Sequence, residues 1–396
     1  STPIKSSAAS DVYKRQSEKL VDRSVPVLRI GNPTRVNDKM LSFTYERRFE
    51  SHPAYTELWG IRKSIREMNG RIRKGSHIER ENMRNRISHL RDRATELEIL
   101  INEALFSSTR VVASTLVSSN HRILNGRRFS TLFIDEAAQA LEAACWIAIR
   151  KADRVIFAGD HCQLPPTIKC IEAARGGLDH TLMEKVVVNK PISVSLLKVQ
   201  YRMNESIMRF PSEWFYNNQL ESAPEIRQRG ILDFDTPMIW IDTSEMECHE
   251  EFVGESFGRI NKPEANLLLQ ELESYIQKIG ENRVLDEQID FGLISPYKAQ
   301  VQYLRNKIKS SSFFRRFRPL ITVNTVDGFQ GQERDVIFIS LVRANESGQI
   351  GFLNDLRRMN VAITRARMKL VILGNATTLT KHTFYHKLME YIQKQF

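Results

Sequence analysis

Short, continuous apolar runs closed by polar or turn residues recur along the chain. VPVLRI (25–30) is followed by Gly31, Asn32 and Pro33, and RVVASTL (110–116) carries Ser114 and Thr115 at its exit. LFI (132–134) ends in Asp135 and Glu136, and VIFA (155–158) ends in Gly159 and Asp160. VSLLKVQYR (194–202) delivers Gln200, Tyr201 and Arg202, and FGLIS (291–295) delivers Ser295, Pro296, Tyr297 and Gln300. Two runs flank a Gly-bearing polar turn at 327–333, and KLVILG (369–374) comes last. Runs without alternation mark parallel strands buried on both faces. Helical patterns stand between them, at 140–149, 262–279 and 385–395. The class is therefore α/β, with parallel sheets flanked by helices.

Residues 55–105 read differently. Leu58, Ile61, Ile65 and Met68 recur at helical spacing, and so do Ile87, Leu90, Leu97, Leu100 and Ile101. Gly70 and Gly75 separate the two series. Two antiparallel helices forming a stalk are expected, either a solvated arm or a guide for nucleic acid. A loop is expected at 253–260. After the short apolar run of NVAITRAR (360–367), a strand would point Arg365 and Arg367 to one side. Arg315, Arg316 and Arg318 interleave with Phe313, Phe314 and Phe317, either as a nucleic-acid patch or as a surface loop with partly buried rings.

Composition narrows the class. The chain has 396 residues, and 58 Lys+Arg against 47 Asp+Glu leave a formal charge of +11. That balance favours a polyanionic partner, of which nucleic acid is the commonest. No apolar run approaches the ~20 residues of a membrane span, so no membrane partner is expected. Cys145, Cys162, Cys170 and Cys248 form no CxxC. They suggest a reducing interior and a cytoplasmic location, without a disulfide framework or a zinc site. Residues 1–16 lack periodicity and an apolar h-region, and they read as a non-native tail rather than a signal peptide.

The chemistry gathers at strand exits. Ligands of open α/β sheets bind beyond the carboxyl ends of the strands, where Asp135, Glu136 and Asp160 lie. In phosphoryl transfer one acid can hold Mg²⁺ through water while a neighbour orients the attacking water. A lone acid pair is more often a solvated helix start. Gln163 can feel a γ-phosphate. Tyr201 can stack on a base, and Arg202 can reach a phosphate. Ser114 and Thr115 can contact phosphates or cap the next helix.

The ordered set DEAAQ, GDHCQLPP, VQYRM, ISPYKAQ, VDGFQGQE and NVAITRAR resembles motifs II to VI of superfamily 1 helicases. The likeness is to the group containing immunoglobulin mu-binding protein 2 and the nonsense-mediated-decay helicase, and it covers roughly residues 17–396. The resemblance implies two RecA-like P-loop NTPase lobes, at 17–190 and 191–396, with the 55–105 hairpin inserted in the first. It also implies ATP and Mg²⁺ as cofactors, single-stranded DNA or RNA as partner, a monomer, and 5′ to 3′ movement. By match, Asp135 serves Mg²⁺ and Glu136 polarises the hydrolytic water. Gln163 senses the γ-phosphate, and Arg202 and Arg365 are fingers from the second lobe. Tyr201 packs near the adenine, while Asp160, Gly331 and Glu333 lie at the nucleotide. Ser114, Thr115, Ser295, Pro296, Tyr297 and Thr325 line the strand's path.

One departure stands out. The family's first motif, GxxxxGK[ST], presents backbone N–H groups and a lysine to the phosphates. No Gly-Lys pair occurs in these 396 residues. Two expectations follow from it: a fragment of an active helicase, or a nucleic-acid-binding platform without ATPase activity. The adaptor-like start favours the fragment.

Overall fold

The computed structural model describes residues 17–32, 38–71, 77–254 and 258–395, apart from the side chain of Ile171. Residues 1–16, Pro33 and the Gly75 turn lie outside the described residues. The chain packs as two compact units. One holds the described residues up to Asp135 together with Ala140–Ala158; the other holds Glu136–Gln139 and everything from Gly159 onward.

The first unit contains strand β1 (Val27–Ile30), helices α1 (Tyr55–Arg71) and α2 (His77–Ser107), β2 (Val111–Ser114), β3 (Phe129–Ile134), helix α3 (Glu142–Ile149) and β4 (Ala152–Phe157). β1 pairs in parallel with β2, and β3 with β4. Ile134 lies opposite Phe157, so Asp135 and Asp160 issue from adjacent strand ends. The two long helices follow the periodic pattern. α2 buries Ile87, Ala94, Leu97, Ile101 and Leu105 as one stripe, and α1 buries Leu58. Leu100, expected in that stripe, is 52% exposed, and Ala94 serves instead. Ion pairs Glu57–Arg93 (3.0 Å) and Arg62–Glu98 (2.6 Å) link the helices at their surface.

The second unit begins with α4 (Leu182–Asn189), β5 (Val199–Gln200), α5 (Glu205–Phe215), β6 (Glu221–Ser222) and β7 (Met238–Asp242). It continues with β8 (Glu251–Val253), β9 (Gly258–Ile260), α6 (Lys262–Ile279), β10 (Phe291–Ser295), α7 (Lys298–Ser310), β11 (Ile321–Thr325) and β12 (Arg334–Ser340). It closes with α8 (Leu356–Ile363), β13 (Ala366–Gly374) and α9 (Thr383–Gln393). Five strands form a parallel sheet in the order β11-β10-β12-β13-β7. Side chains alternate across it. Ile337 and Ile339 of β12 enter one apolar cluster with residues of α5, α8 and α9; Val336 and Phe338 enter a second with residues of α6 and α7. Each face thus receives every second residue, which is why β12 reads as an unbroken apolar run. Gly292 on β10 is a packing requirement, because a Cβ there would lie 2.9 Å from the Phe329 ring.

Two expectations are corrected here, and one open choice is narrowed. The 253–260 loop contains strand residues of an antiparallel pair, β8 and β9. The run before Arg365 is helical: α8 ends at Ile363 and the strand begins only at Ala366. Its Met359, Val361, Ala362 and Ile363 pack on the sheet, so burial and not β-pairing made it apolar. Arg365 therefore sits in a helix-to-strand turn, while Arg367 lies on β13. In the basic aromatic segment the rings match the surface-loop alternative: Phe314 and Phe317 are core residues, 2% and 0% exposed, and Phe313 is partly buried against them.

The carboxyl end of the sheet is braced by buried polar groups. Glu264, in the first turn of α6, accepts hydrogen bonds from Ser340 Oγ (2.6 Å) and the Val342 N–H (2.9 Å). Gln300 Nε2 donates to Ser340 Oγ and to the Asn261 carbonyl, both at 2.9 Å, and Asn261 Nδ2 donates to the Val342 carbonyl. Val342 is held at φ +69°, a left-handed conformation that a β-branched residue rarely adopts. Beside it, Glu250 pairs with both Arg343 (2.7 Å) and Arg259 (2.6 Å).

Candidate functional site

The amino ends of β12 and β13 gather most of the sequence-derived nucleotide residues. Glu333, just before β12, accepts from Arg202 Nε (2.5 Å) and from Arg367 Nη2 (2.7 Å). Burial would raise its carboxyl, but the two guanidiniums outweigh burial and hold it at about 2. Glu333 is anionic at neutral pH and fixes both arginines. Arg202 Nη1 also reaches the Thr364 carbonyl at 3.1 Å, tying the turn after β5 to the end of α8.

Arg365 is only 3% exposed. Its Nε donates to the Val361 carbonyl (3.0 Å), Nη1 to the Gln332 carbonyl (3.2 Å), and Nη2 to Thr364 Oγ1 (3.1 Å) and Gln163 Oε1 (3.4 Å). Burial pushes its guanidinium down to about 9, with Arg202 acting in the same direction and Glu136 and Glu333 opposing. It stays cationic at neutral pH. Among the described residues no carboxylate forms an ion pair with it, and a buried cation held only by carbonyl, amide and hydroxyl oxygens has unspent attraction for an anion.

Gln163 belongs to a second network. Its Nε2 donates to Asp160 Oδ2 at 2.7 Å. The same oxygen accepts from the Tyr216 hydroxyl at 2.5 Å, while Asp160 Oδ1 caps the Cys162 N–H. Asn360 of α8 donates from Nδ2 to the Tyr216 oxygen (2.8 Å) and to the Cys162 carbonyl (2.9 Å). A ring of contacts results: Asp160, Tyr216, Asn360, one turn of α8 to Arg365, then Gln163 and back to Asp160. Burial, with Asp160 beside it, pushes the Tyr216 phenol well above its ordinary value. It is a fixed donor.

Glu136 occupies a left-handed turn at φ +51°, and its Oε2 accepts from Gln139 Nε2 at 2.8 Å. Gly159 packs tightly on this turn: a Cβ there would lie 3.0 Å from the Ala137 nitrogen. Asp135 is exposed at the end of β3. An exposed carboxylate at a parallel strand end suits Mg²⁺ held through water. Asp160, His161 and Cys162 bring ligand atoms within 4.8 Å of one another. The Asp160 oxygens already serve Gln163, Tyr216 and the Cys162 N–H, and Cys162 Sγ donates to the Phe215 carbonyl, so that set fits a hydrogen-bond hub better than a metal site. Tyr201 is 67% exposed, its ring open to a flat ligand. Gly331 takes φ +75° in the turn between Phe329 and Glu333.

The residues expected along a strand's path lie elsewhere. Ser295, Pro296, Tyr297 and Thr325 follow the carboxyl ends of β10 and β11, the opposite end of the sheet from Glu333 and Arg365. Ser295 is fully buried and Tyr297 is 4% exposed. Thr325 Oγ1 caps the next helical turn at the Gly328 N–H. In the first unit, Ser114 ends β2, and Thr115 Oγ1 donates to Ser118 Oγ and accepts from the Ser118 N–H. Those are the bland capping roles.

Sequence reasoning missed Tyr216, Asn360 and Arg367 as site members. Tyr216 closes EWFY, which reads as the core end of an amphipathic helix. Asn360 was visible inside NVAITRAR, and the signal was a polar residue in an otherwise apolar helix turn.

Two family models, each described as an AAA domain, match the chain, one over residues 178–377 and one over residues 5–170. The chain is 32% identical to an uncharacterized ATP-dependent helicase of Methanocaldococcus jannaschii, over 97% of this chain and 62% of that protein. It is 32% identical to DNA-binding protein SMUBP-2 of Mesocricetus auratus, over 92% of this chain and 37% of that protein. It is 36% identical to the regulator of nonsense transcripts 1 homolog of Drosophila melanogaster, over 72% of this chain and 24% of that protein. The chain thus spans less than two thirds of the length of these relatives.

Proposed function

The chain belongs to the AAA-domain family of superfamily 1 helicases, and from that premise we propose that it forms motor lobes of an ATP-dependent helicase or translocase acting on single-stranded DNA or RNA. We read residues 17–190 and 191–396 as two RecA-like lobes, with the α1–α2 hairpin inserted in the first. Joined to a phosphate-binding GxxxxGK[ST] segment, these lobes would form a cytoplasmic, monomeric motor moving 5′ to 3′, in the group of immunoglobulin mu-binding protein 2 and the nonsense-mediated-decay helicase.

The observation that carries this reading is Arg365: a buried guanidinium, cationic at neutral pH, in no ion pair with a carboxylate among the described residues, and touching Gln163. A γ-phosphate is an anion that this guanidinium can neutralise. Arg365 and Arg202 bind it and stabilise charge that spreads onto it in the transition state. Gln163 reports its presence through Asp160 and Tyr216. Asp135 holds Mg²⁺ through water, and Glu136 orients the attacking water and takes its proton. Mg²⁺, when bound, neutralises phosphate charge. Tyr201 packs near the adenine, and Gly331 and Glu333 lie along the phosphates or sugar. Ser114, Thr115, Pro296 and Thr325 border the nucleic acid, and the buried Ser295 and Tyr297 support that surface from beneath.

The test is a thermal-shift titration with Mg²⁺ and a non-hydrolysable ATP analogue, beside anisotropy of a labelled single strand. The analogue is expected to raise the melting temperature of the wild type and not that of Arg365→Ala, and the strand to bind with an affinity that falls with salt. A strand that stays free at low salt, or an equal nucleotide shift in both proteins, overturns the reading.

A further inference from the structure

Tyr297, the aromatic expected on the strand's path, is buried, and the ring standing over it is Phe352. The two centroids are 5.6 Å apart, and Phe352 is 54% exposed. That exposure is imposed by both neighbours. Gly351 takes φ +57° and packs so closely that a Cβ would run into the Arg343 guanidinium and lie 3.0 Å from the Tyr297 hydroxyl. Leu353 is 1% exposed, and its carbonyl accepts from the Tyr385 hydroxyl at 2.7 Å. With both flanks anchored, Phe352 can turn only outward. The Arg358 guanidinium, paired with Asp355 at 3.3 Å, lies 5.8 Å from the ring centroid, and Lys298 is exposed at the start of α7, next to Tyr297. An aromatic ring turned outward between anchored neighbours, beside an exposed lysine and a guanidinium, suits an unpaired nucleobase on a phosphate backbone.

We propose that Phe352 is a base-stacking platform for single-stranded nucleic acid at the carboxyl end of the second-unit sheet. The proposal rests on the reading of the chain as a nucleic-acid motor and adds a contact lying outside the helicase-like motifs. Tyr297 acts beneath it as a support, and Arg343, paired with Glu250, sets the floor. Because the ring is already fixed in place, stacking loses little side-chain entropy on binding. Any base can stack, so the contact is sequence-tolerant.

The experiment uses the 396-residue chain and labelled oligothymidylate, with an abasic strand of equal length for comparison. Phe352→Ala is expected to weaken oligothymidylate binding by about tenfold, the loss of roughly one stacked base. Phe352→Trp is expected to retain binding, with the added indole emission quenched by the strand. On the abasic strand, wild type and Phe352→Ala are expected to bind alike. If the wild type binds and Phe352→Ala matches it on oligothymidylate, the platform is overturned while the motor reading stands. An equal loss on both strands also overturns it, by showing a role other than stacking. If the wild type binds neither strand, the motor reading and the platform fall together.

Discussion

The Tyr216 hydroxyl lies 2.5 Å from Asp160 Oδ2 and at the same time accepts from Asn360 Nδ2 at 2.8 Å. One phenol thereby joins the loop that carries Gln163 to the helix that leads into Arg365. Tyr216→Phe leaves a partly buried carboxylate and an amide each short of one partner. A loss of about 1–3 kcal/mol is expected, read as a lower urea midpoint with unchanged slope. In a double-mutant cycle with Asn360→Ala the two losses should be non-additive by at least about 0.5 kcal/mol. Strict additivity would show that the ring of contacts is not a unit.

Arg365→Met separates binding from folding. Removing a buried cation that has no ion-pair partner among the described residues relieves its desolvation, while two carbonyls lose a donor. The ligand-free melting temperature is therefore expected to stay within a few degrees of wild type. The stabilisation produced by an ATP analogue should disappear. Calorimetric titration checks both, and a nucleotide affinity equal to wild type would remove Arg365 from the phosphate.

Glu333 predicts an acid limb. Its folded carboxyl sits at about 2, below its unfolded value near 4.5. The stability it contributes is fully present above pH ~4.5 and is lost as pH falls toward 2. Glu333→Gln should lack that part of the acid limb, so its urea midpoint should change less than wild type over the same interval. Parallel curves for the two proteins would contradict the pairing with Arg202 and Arg367.

Glu264 predicts the opposite slope. Burial lifts its carboxyl from 4.5 to about 7, against the hydrogen bonds from Ser340 and Val342. The folded state therefore holds a proton that the unfolded state has released between those values, and stability falls as pH rises from 4.5 to 7. The slope is at most about 1.4 kcal/mol per pH unit. Glu264→Gln, which keeps the shape and removes the titration, is expected to flatten that interval in denaturant midpoints measured against pH.

The chain has no Gly-Lys pair to place a lysine on the β- and γ-phosphates. We expect the purified 396-residue protein to release no appreciable phosphate from ATP, with or without a single strand. A strand-stimulated rate well above that of Glu136→Gln would show that another group supplies the missing charge.

The readable parts of the sequence were those where one local rule decides. β12 shows both apolar faces of the sheet as a continuous run, and Asn261 with Pro263 announces α6 at Lys262. Helix α8 was misread because a short segment buried against the sheet has no period that separates helix from strand. Thr115 was legible as a capping residue as much as a contact, and its hydroxyl does cap a turn; Thr325, expected only on the strand's path, caps one too. Tyr216 could not have been found from its neighbours, since its partners lie 56 and 144 residues away. Tyr297 was singled out as an aromatic at a strand exit. Its burial depends on the distant Gly351–Phe352 turn, which no local pattern reveals.

Strand β12 has Glu333 before its first residue and Val342–Arg343 just beyond its last, so roughly 23 Å of rise separates the two ends. It is hydrogen-bonded to neighbours on both edges and packed on both faces, and the brace of Glu264, Gln300 and Asn261 locks its far end. Such a strand is a stiff rod: it can be turned or carried, but it can neither stretch nor fold. Any displacement at its arginine-bound end must therefore appear at Arg343 and Phe352 as a whole-body tilt, with lever arms fixed by the length of the strand.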